Sequence, residues 1–313
     1  MLDALAAQRD APPFTLALLL DNCTDDSAAT IDRLAARQPF AVRVHHCDAR
    51  HAPNAGLARG RAVEMAIAGL ADGILLTTDA DSAPADDWIA ANLAALRHAD
   101  LIAGRIMRPA GSSPLHDRIV AYYDRLHALR RSIDPVPWED ARSHHWTSGA
   151  SMAMRIATYR ALGGFTPLAQ GEDAALADRA GRIGMRVRRD ARVMAATSAR
   201  RDGRAEGGFA AMLAALDRPG AMPLMAHPED EAWRYRHHAA ARTQHAAGSF
   251  AGFADAIGVM PDDLARVAAE VPNGEAFAAR IVGAPPGGMR TVPLAFAEAA
   301  LAAIDSPALE GAA

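Results

Sequence analysis

The chain has 313 residues, 50% of them hydrophobic and 22% charged, with a formal net charge of -4. That supports a substantial core, as one large domain or one with an appendage, and it excludes general disorder and a bulk electrostatic attraction to nucleic acid. The apolar run at 14–20 is far short of the ~20 residues of a membrane-spanning helix, and no basic segment precedes a signal-like core, so no transmembrane segment and a cytoplasmic location are expected.

Apolar β-like runs alternate with helical patterns to about residue 195, the order of a βαβ-built sheet. The first strand is expected at 14–20, followed by a helix over 28–37 with Ile31 and Leu34 on one face. A second strand covers 41–44. A helix over 57–70 then places Val63, Ile67 and Leu70 together, the 3.6-residue spacing of a buried stripe. The run 73–78 reads as a buried strand of a parallel sheet. Pro84 with Asp86 and Asp87 marks a helix start, and Ile89, Leu93 and Leu96 form its stripe. A strand at 101–107 precedes a proline-punctuated segment whose helix, 115–131, reads as an insertion facing the site. Strands at 147–155 and 185–194 flank a helix from Asp173, with Leu176, Ala180 and Ile183 on one face and Gly184 at its end. The division expected is a domain at 1–208 and a mostly helical C-terminal region at 209–313. Cys23 and Cys47 fit reduced thiols and receive no role. The predominance of Ala and Arg over Lys suggests a high-GC bacterial genome.

Ile74-Leu75-Leu76-Thr77-Thr78-Asp79-Ala80-Asp81 is an apolar run stopped by two carboxylates one residue apart. Ligands of open α/β sheets bind beyond the carboxyl ends of strands, and two acids there offer hard oxygen ligands to a divalent cation that in turn holds phosphates. The bland alternative is a loop capping the next helix. Four further pieces accompany it in order. Asp21 ends the first strand in Asp21-Asn22-Cys23-Thr24-Asp25-Asp26-Ser27, and Asn54-Ala55-Gly56-Leu57-Ala58-Arg59-Gly60-Arg61 opens a helix. Ser148-Gly149-Ala150 then precedes Gly163-Gly164-Phe165 and Gly171-Glu172-Asp173.

In this order the motifs resemble those of the GT-A-fold nucleotide-sugar glycosyltransferases, specifically the large inverting group called family two. The resemblance covers roughly residues 1 to 200. It rests on the acid-ended strand at Asp21, the G-L-x-x-x-R entrance at Gly56, Leu57 and Arg61, the D-x-D at Asp79 and Asp81, the G-G-F at 163–165, and the E-D-x-x-L from Glu172 to Leu176. It implies a Rossmann-like mixed sheet flanked by helices, with a helical C-terminal appendage. It also implies a nucleotide-diphospho-sugar donor, UDP- or GDP-linked, an acceptor of unknown identity, and Mn2+ or Mg2+ as cofactor.

The resemblance makes Asp81 the direct metal ligand. Asp79 then binds ribose hydroxyls or the metal through water, and Asp21 meets the base. Asp173, at a helix N-terminus, is the candidate general base, with Glu172 beside it in the catalytic pair; ordinary first-turn dipole compensation is the alternative for both. Arg61 contacts the nucleotide or is a salt-bridged helical side chain. Arg200, with Arg201 and Arg204, folds over the diphosphate or forms an exposed basic loop. Trp146 stacks on a sugar or is simply half-buried, and Ser148 and Gly149 lie near the donor sugar. His45-His46 and His237-His238 lack ligand spacing.

Two departures from the family carry expectations. A strand and helix normally precede the strand ending at Asp21, and Met1 falls where that helix belongs. Either the true start lies upstream or the sheet lacks its usual first strand, which would expose an unpaired ladder on both neighbours. No Q-x-x-R-W motif follows Leu176, which favours single transfer over processive synthesis. A nucleotidyltransferase would need a glycine-rich phosphate loop that is not visible. A retaining transferase and a catalytically impaired nucleotide-sugar-binding protein remain as rivals.

Overall fold

The structure, a computed structural model, describes residues 1–48, 52, 54–108, 113–203 and 207–305. In chain order the elements are α1 (Leu2–Ala6), β1 (Thr15–Asp21), α2 (Ser27–Ala35), β2 (Ala41–Cys47), α3 (Ala55–Ile67), β3 (Ile74–Thr77), β4 (Ala83–Pro84), α4 (Trp88–Ala95), β5 (Leu101–Met107) and α5 (Pro114–Ile133). There follow β6 (Met152–Arg155), α6 (Ile156–Ala161), α7 (Glu172–Arg182), β7 (Val187–Ala196), α8 (Phe209–Leu216), β8 (Leu224–Ala226), α9 (Pro228–Ala247), α10 (Ala251–Ile257), α11 (Pro261–Glu270), α12 (Gly274–Ile281), β9 (Thr291–Pro293) and α13 (Leu294–Asp305). They form two compact units, one of Met1–Ala110, Asp140–Arg179 and Val187–Met212, the other of Gly111–Glu139, Ala180–Arg186 and Leu213–Ala313. Helix α5, expected to be an insertion facing the site, thus belongs to the second unit.

The first unit is mixed α/β. Its main sheet runs β3-β6-β5-β7-β4. Strand β5 is central: it pairs parallel with β7 and antiparallel with β6, and Leu101, Ile102 and Ala103 are completely buried. That double burial explains its unbroken apolar sequence. The strand before the paired acids, expected in a parallel sheet, instead pairs antiparallel with β6, Thr77 facing Met152. Residues 147–151 are loop and turn rather than strand, which frees Ser148 and Gly149 from any ladder.

Two helix boundaries differ from expectation by three residues or more. Pro84 does not start a helix; it lies in β4, on the sheet's edge, where a missing N–H removes no ladder bond, and α4 begins at Trp88. Leu70 falls outside α3, which ends at Ile67, and is exposed.

Strands β1 and β2 form a separate parallel pair, in register from Thr15 with Ala41 to Asp21 with Cys47. Among the described residues β1 pairs with β2 alone and β3 with β6 alone, so each is the last strand of its sheet on one side. Most of β1 is only half-buried and α2 has no buried residue.

The second unit is helical with the β8–β9 ribbon. Tyr122, Leu126, Met225, Leu294 and Leu301 make one core cluster, and Phe253, Leu264, Ala276 and Phe277 anchor another. Arg242 of α9 ties Asp134 to Glu275, the latter at 2.8 Å.

Thin burial and a ladder on one side lower the local opening free energy. Amides of β1 and β2 should therefore exchange with deuterium on the order of 100-fold faster than those of β5; equal protection would show that the paired strands are as firmly held as the main sheet.

Candidate functional site

The site begins with the seating of α3. Asn54 caps the helix, its Oδ1 accepting from Leu57 N–H at 2.7 Å, while its Nδ2 donates to Pro167 O at 3.0 Å. Gly56 N–H donates to Leu168 O at 2.9 Å. Any side chain at Gly56 would put a Cβ 2.0 Å from Thr166 O, so the glycine is required by this close approach. The helix entrance is thereby fastened to the segment that follows Gly163-Gly164-Phe165.

The inward face of α3 carries Gly56, Val63 and Ile67. Arg59 lies three residues after the first and four before the second, on the same face, and its side chain is only 16% exposed. Its guanidinium makes three charged or polar contacts: Nη2 to Asp79 Oδ1 at 2.9 Å, Nε to Glu172 Oε1 at 3.0 Å, and Nη1 to Gly149 O at 2.9 Å. Its Cζ lies 5.9 Å from the Phe165 ring centroid. A planar fork suits this arrangement, since its donors point in fixed and different directions. Burial disfavours the charge, but the Asp79 and Glu172 carboxylates outweigh it and hold the guanidinium above its already high ordinary pKa.

Gly149 is pinned from both ends. Its carbonyl also accepts from Thr77 Oγ1 at 2.7 Å, and its N–H donates to Asp173 Oδ2 at 2.7 Å. A Cβ here would sit 2.3 Å from Arg59 Cζ. The other oxygen of Asp173 accepts from Ala174 N–H at 2.7 Å, in the first turn of α7, where the helix dipole favours a negative group. Asp173 stays half-buried, whereas the Glu172 side chain is 5% exposed.

The remaining predicted residues occupy neighbouring places. Asp81 Oδ2 lies 2.9 Å from Arg200 Nη2. The pairing of Ala83 with Ala196 explains this, because it holds the turn after Asp81 beside the end of β7, from which Arg200 follows. Arg61 points away from Arg59, about 200° around the helix, with Nη1 at 3.0 Å from Cys47 Sγ and 4.0 Å from Asp21 Oδ1. Ser148 Oγ accepts from Ala150 N–H. One face of Trp146 carries the Arg108 guanidinium, 4.5 Å from the ring centroid, and Arg108 also lies 4.0 Å from the Phe209 centroid. Arg204 falls outside the described residues.

Asp79, Gly149, Glu172 and Asp173 are therefore brought together around one arginine. Asp81 with Arg200, Asp21 with Arg61, and Trp146 with Arg108 form separate pairs. Sequence reasoning passed over Arg59 in favour of Arg61. The available signal was its spacing from Gly56 and Val63, which puts a cation on the apolar stripe, where a charge requires partners. It also passed over His144, which is buried; its Nδ1 accepts from Trp146 N–H at 3.0 Å, which leaves Nε2–H to donate to Ala103 O at 3.1 Å. Burial foremost, and Arg189 next, hold this imidazole down at about 3.

No protein-family model matches the chain, and no curated protein matches it. Among solved structures it is similar to the mannosyltransferase PcManGT from Pyrobaculum calidifontis in complex with GDP-Man and Mn2+, at 18% identity and a TM-score of 0.45, over 98% of this chain and 71% of that one. Among the described residues no group of three or more His, Cys, Asp and Glu is placed to hold a metal ion, and no helix is long and apolar enough to cross a membrane.

Two expectations follow. Because the folded state holds His144 neutral while the unfolded chain protonates it near 6.5, its contribution is complete above that pH and is lost as pH falls from there toward 3. The urea midpoint should fall over this window, and His144→Asn should flatten that part of the profile; an unchanged slope would contradict it. Gly149→Ala should destabilise by about 1–3 kcal/mol through the forced displacement of Arg59, measured by chemical denaturation.

Proposed function

We propose that this chain is a nucleotide-sugar-dependent glycosyltransferase of the inverting, family-two type, moving one sugar from a UDP- or GDP-linked donor to an acceptor hydroxyl. The observation that carries the reading is the convergence on Arg59 of four separated motifs. The first acid of the pair, the Gly149 loop, Phe165 and the Glu172-Asp173 helix start all meet one guanidinium. Unrelated surface acids have no reason to share a buried cation.

The donor set fits a hard divalent cation of the kind that takes one or two carboxylates and completes its shell with phosphate oxygens and water. Asp81, exposed and paired with an exposed arginine, is the residue assigned to it. When bound, Mn2+ or Mg2+ supplies positive charge against the diphosphate leaving group. Asp79, held at Oδ1 by Arg59, keeps Oδ2 for a ribose hydroxyl. Asp21 and Arg61 are assigned to the nucleoside, and Arg200, released from Asp81, to the diphosphate. Trp146, Ser148 and Gly149 border the donor sugar.

Inversion needs a base opposite the leaving group that takes the acceptor's hydroxyl proton. Asp173 receives that role. Each of its oxygens accepts one backbone N–H in the structure, which fixes the carboxylate while leaving lone pairs for the acceptor. Glu172, buried against Arg59, serves by holding that cation. The proposed transferase region is the 1–208 portion, with 209–313 as a helical accompaniment.

A panel of UDP- and GDP-sugars incubated with Mn2+, with free nucleoside diphosphate as readout, identifies the donor. Asp81→Ala should abolish metal-dependent nucleotide binding in calorimetry; affinity equal to wild type would contradict the metal assignment. Asp173→Asn should bind nucleotide within about threefold of wild type and lose on the order of 100-fold or more in turnover. Binding without turnover in wild type would instead support a catalytically impaired sugar-nucleotide-binding protein, and the anomeric form of the product separates inversion from retention.

A further inference from the structure

The Asp173 carboxylate accepts one hydrogen bond from its covalent neighbour and one from a remote loop. Ala174 N–H holds Oδ1 from within the helix, and Gly149 N–H holds Oδ2 from a loop 24 residues earlier. Residues 147–151 belong to no strand, so the loop's own ladder does not place Gly149. Ser151 anchors the end of the loop, its N–H donating to Ser148 O at 3.0 Å and its carbonyl accepting from Gly104 N–H at 2.8 Å, while Gly149 itself is held at its carbonyl, which accepts from Thr77 Oγ1 at 2.7 Å and from Arg59 Nη1 at 2.9 Å. The same guanidinium binds Glu172, the residue immediately before Asp173, at 3.0 Å.

We infer that Arg59 is the positioning residue for Asp173: one cation grips the loop that meets the carboxylate and the helix turn that bears it, and so fixes the distance between them. The absence of a side chain at 149 belongs to the same device, since a Cβ would overlap the guanidinium at 2.3 Å. Arg59 touches neither oxygen of Asp173 in the structure's hydrogen bonds; it acts through Gly149 and Glu172. Lysine cannot reproduce the effect, because one ammonium on a flexible stem cannot reach three acceptors set by a planar fork. The inference rests on the transferase reading for its kinetic consequence alone.

The test measures amide hydrogen exchange by NMR and donor turnover in the full chain, comparing wild type with Arg59→Lys. Exchange at Gly149 should quicken about tenfold or more while the β5–β7 ladder keeps its protection. Turnover should fall on the order of 100-fold with donor KM within about threefold of wild type, and Arg59→Lys should add no further loss in an Asp173→Asn background. A general packing role would raise exchange across the ladder and would remain additive with Asp173→Asn. Unchanged Gly149 exchange, or a raised KM with turnover intact, overturns the inference. If wild type turns over no nucleotide sugar, the transferase reading fails and Gly149 exchange alone decides whether Arg59 sets this contact. Should Arg59→Lys lose the β5–β7 protection, Glu172→Gln keeps the guanidinium while weakening one anchor, and an unchanged Gly149 amide there overturns the inference equally.

Discussion

The acids and loop gathered at Arg59 depend on keeping one guanidinium charged in a place water barely reaches. Arg59 is 16% exposed at its side chain and Glu172 5%, so both ions have given up most of their hydration. Such a pair persists only when geometry is good and the remaining donors are satisfied. Here Asp79, Glu172 and the Gly149 carbonyl take one donor each. Loss of the guanidinium would leave Glu172 as an uncompensated buried charge, at a cost of about 3–5 kcal/mol. The site and the stability of its surroundings are therefore coupled.

The scaffold around this contact is graded in firmness. Strand β5 and its neighbours β6 and β7 carry completely buried residues and hold the loops at 79–82 and 147–151. Helix α3 is fastened by Asn54 and by the backbone approach at Gly56 to residues 166–168. Beyond it, β1 and β2 pair with each other alone among the described residues, and α2 buries nothing. Arg59 faces the firm sheet and Arg61 the thin one. One helix thus presents a fixed cation to Asp79 and Glu172 and a less constrained one to Asp21.

Electrostatics at the site are arranged in couples. Asp79 has Arg59, Asp81 has Arg200 and Asp21 has Arg61, with decreasing burial of the arginine in the first two cases, from 16% exposed at Arg59 to 59% at Arg200. A buried couple is structural glue, whereas an exposed one is worth ~0–1 kcal/mol and is readily exchanged for another ligand. This difference divides the two acids of Asp79-Ala80-Asp81.

The sequence by itself determined the βα alternation, the acid that ends β1, a helix beginning within a residue of Glu172 and the Val63 and Ile67 stripe of α3, because these follow from local periodicity, capping and dipole preferences. It also determined which motifs occur and in what order. It did not determine the antiparallel pairing of β3, the edge position of Pro84 or the assignment of α5 to the second unit, since strand partners and unit membership depend on contacts remote in sequence. Nor did it determine which arginine of Arg59 and Arg61 matters for which acid. Both have the same chemistry and nearly the same address; only the tertiary structure, by turning one toward Asp79, Gly149 and Glu172 and the other toward Asp21, gave them different work.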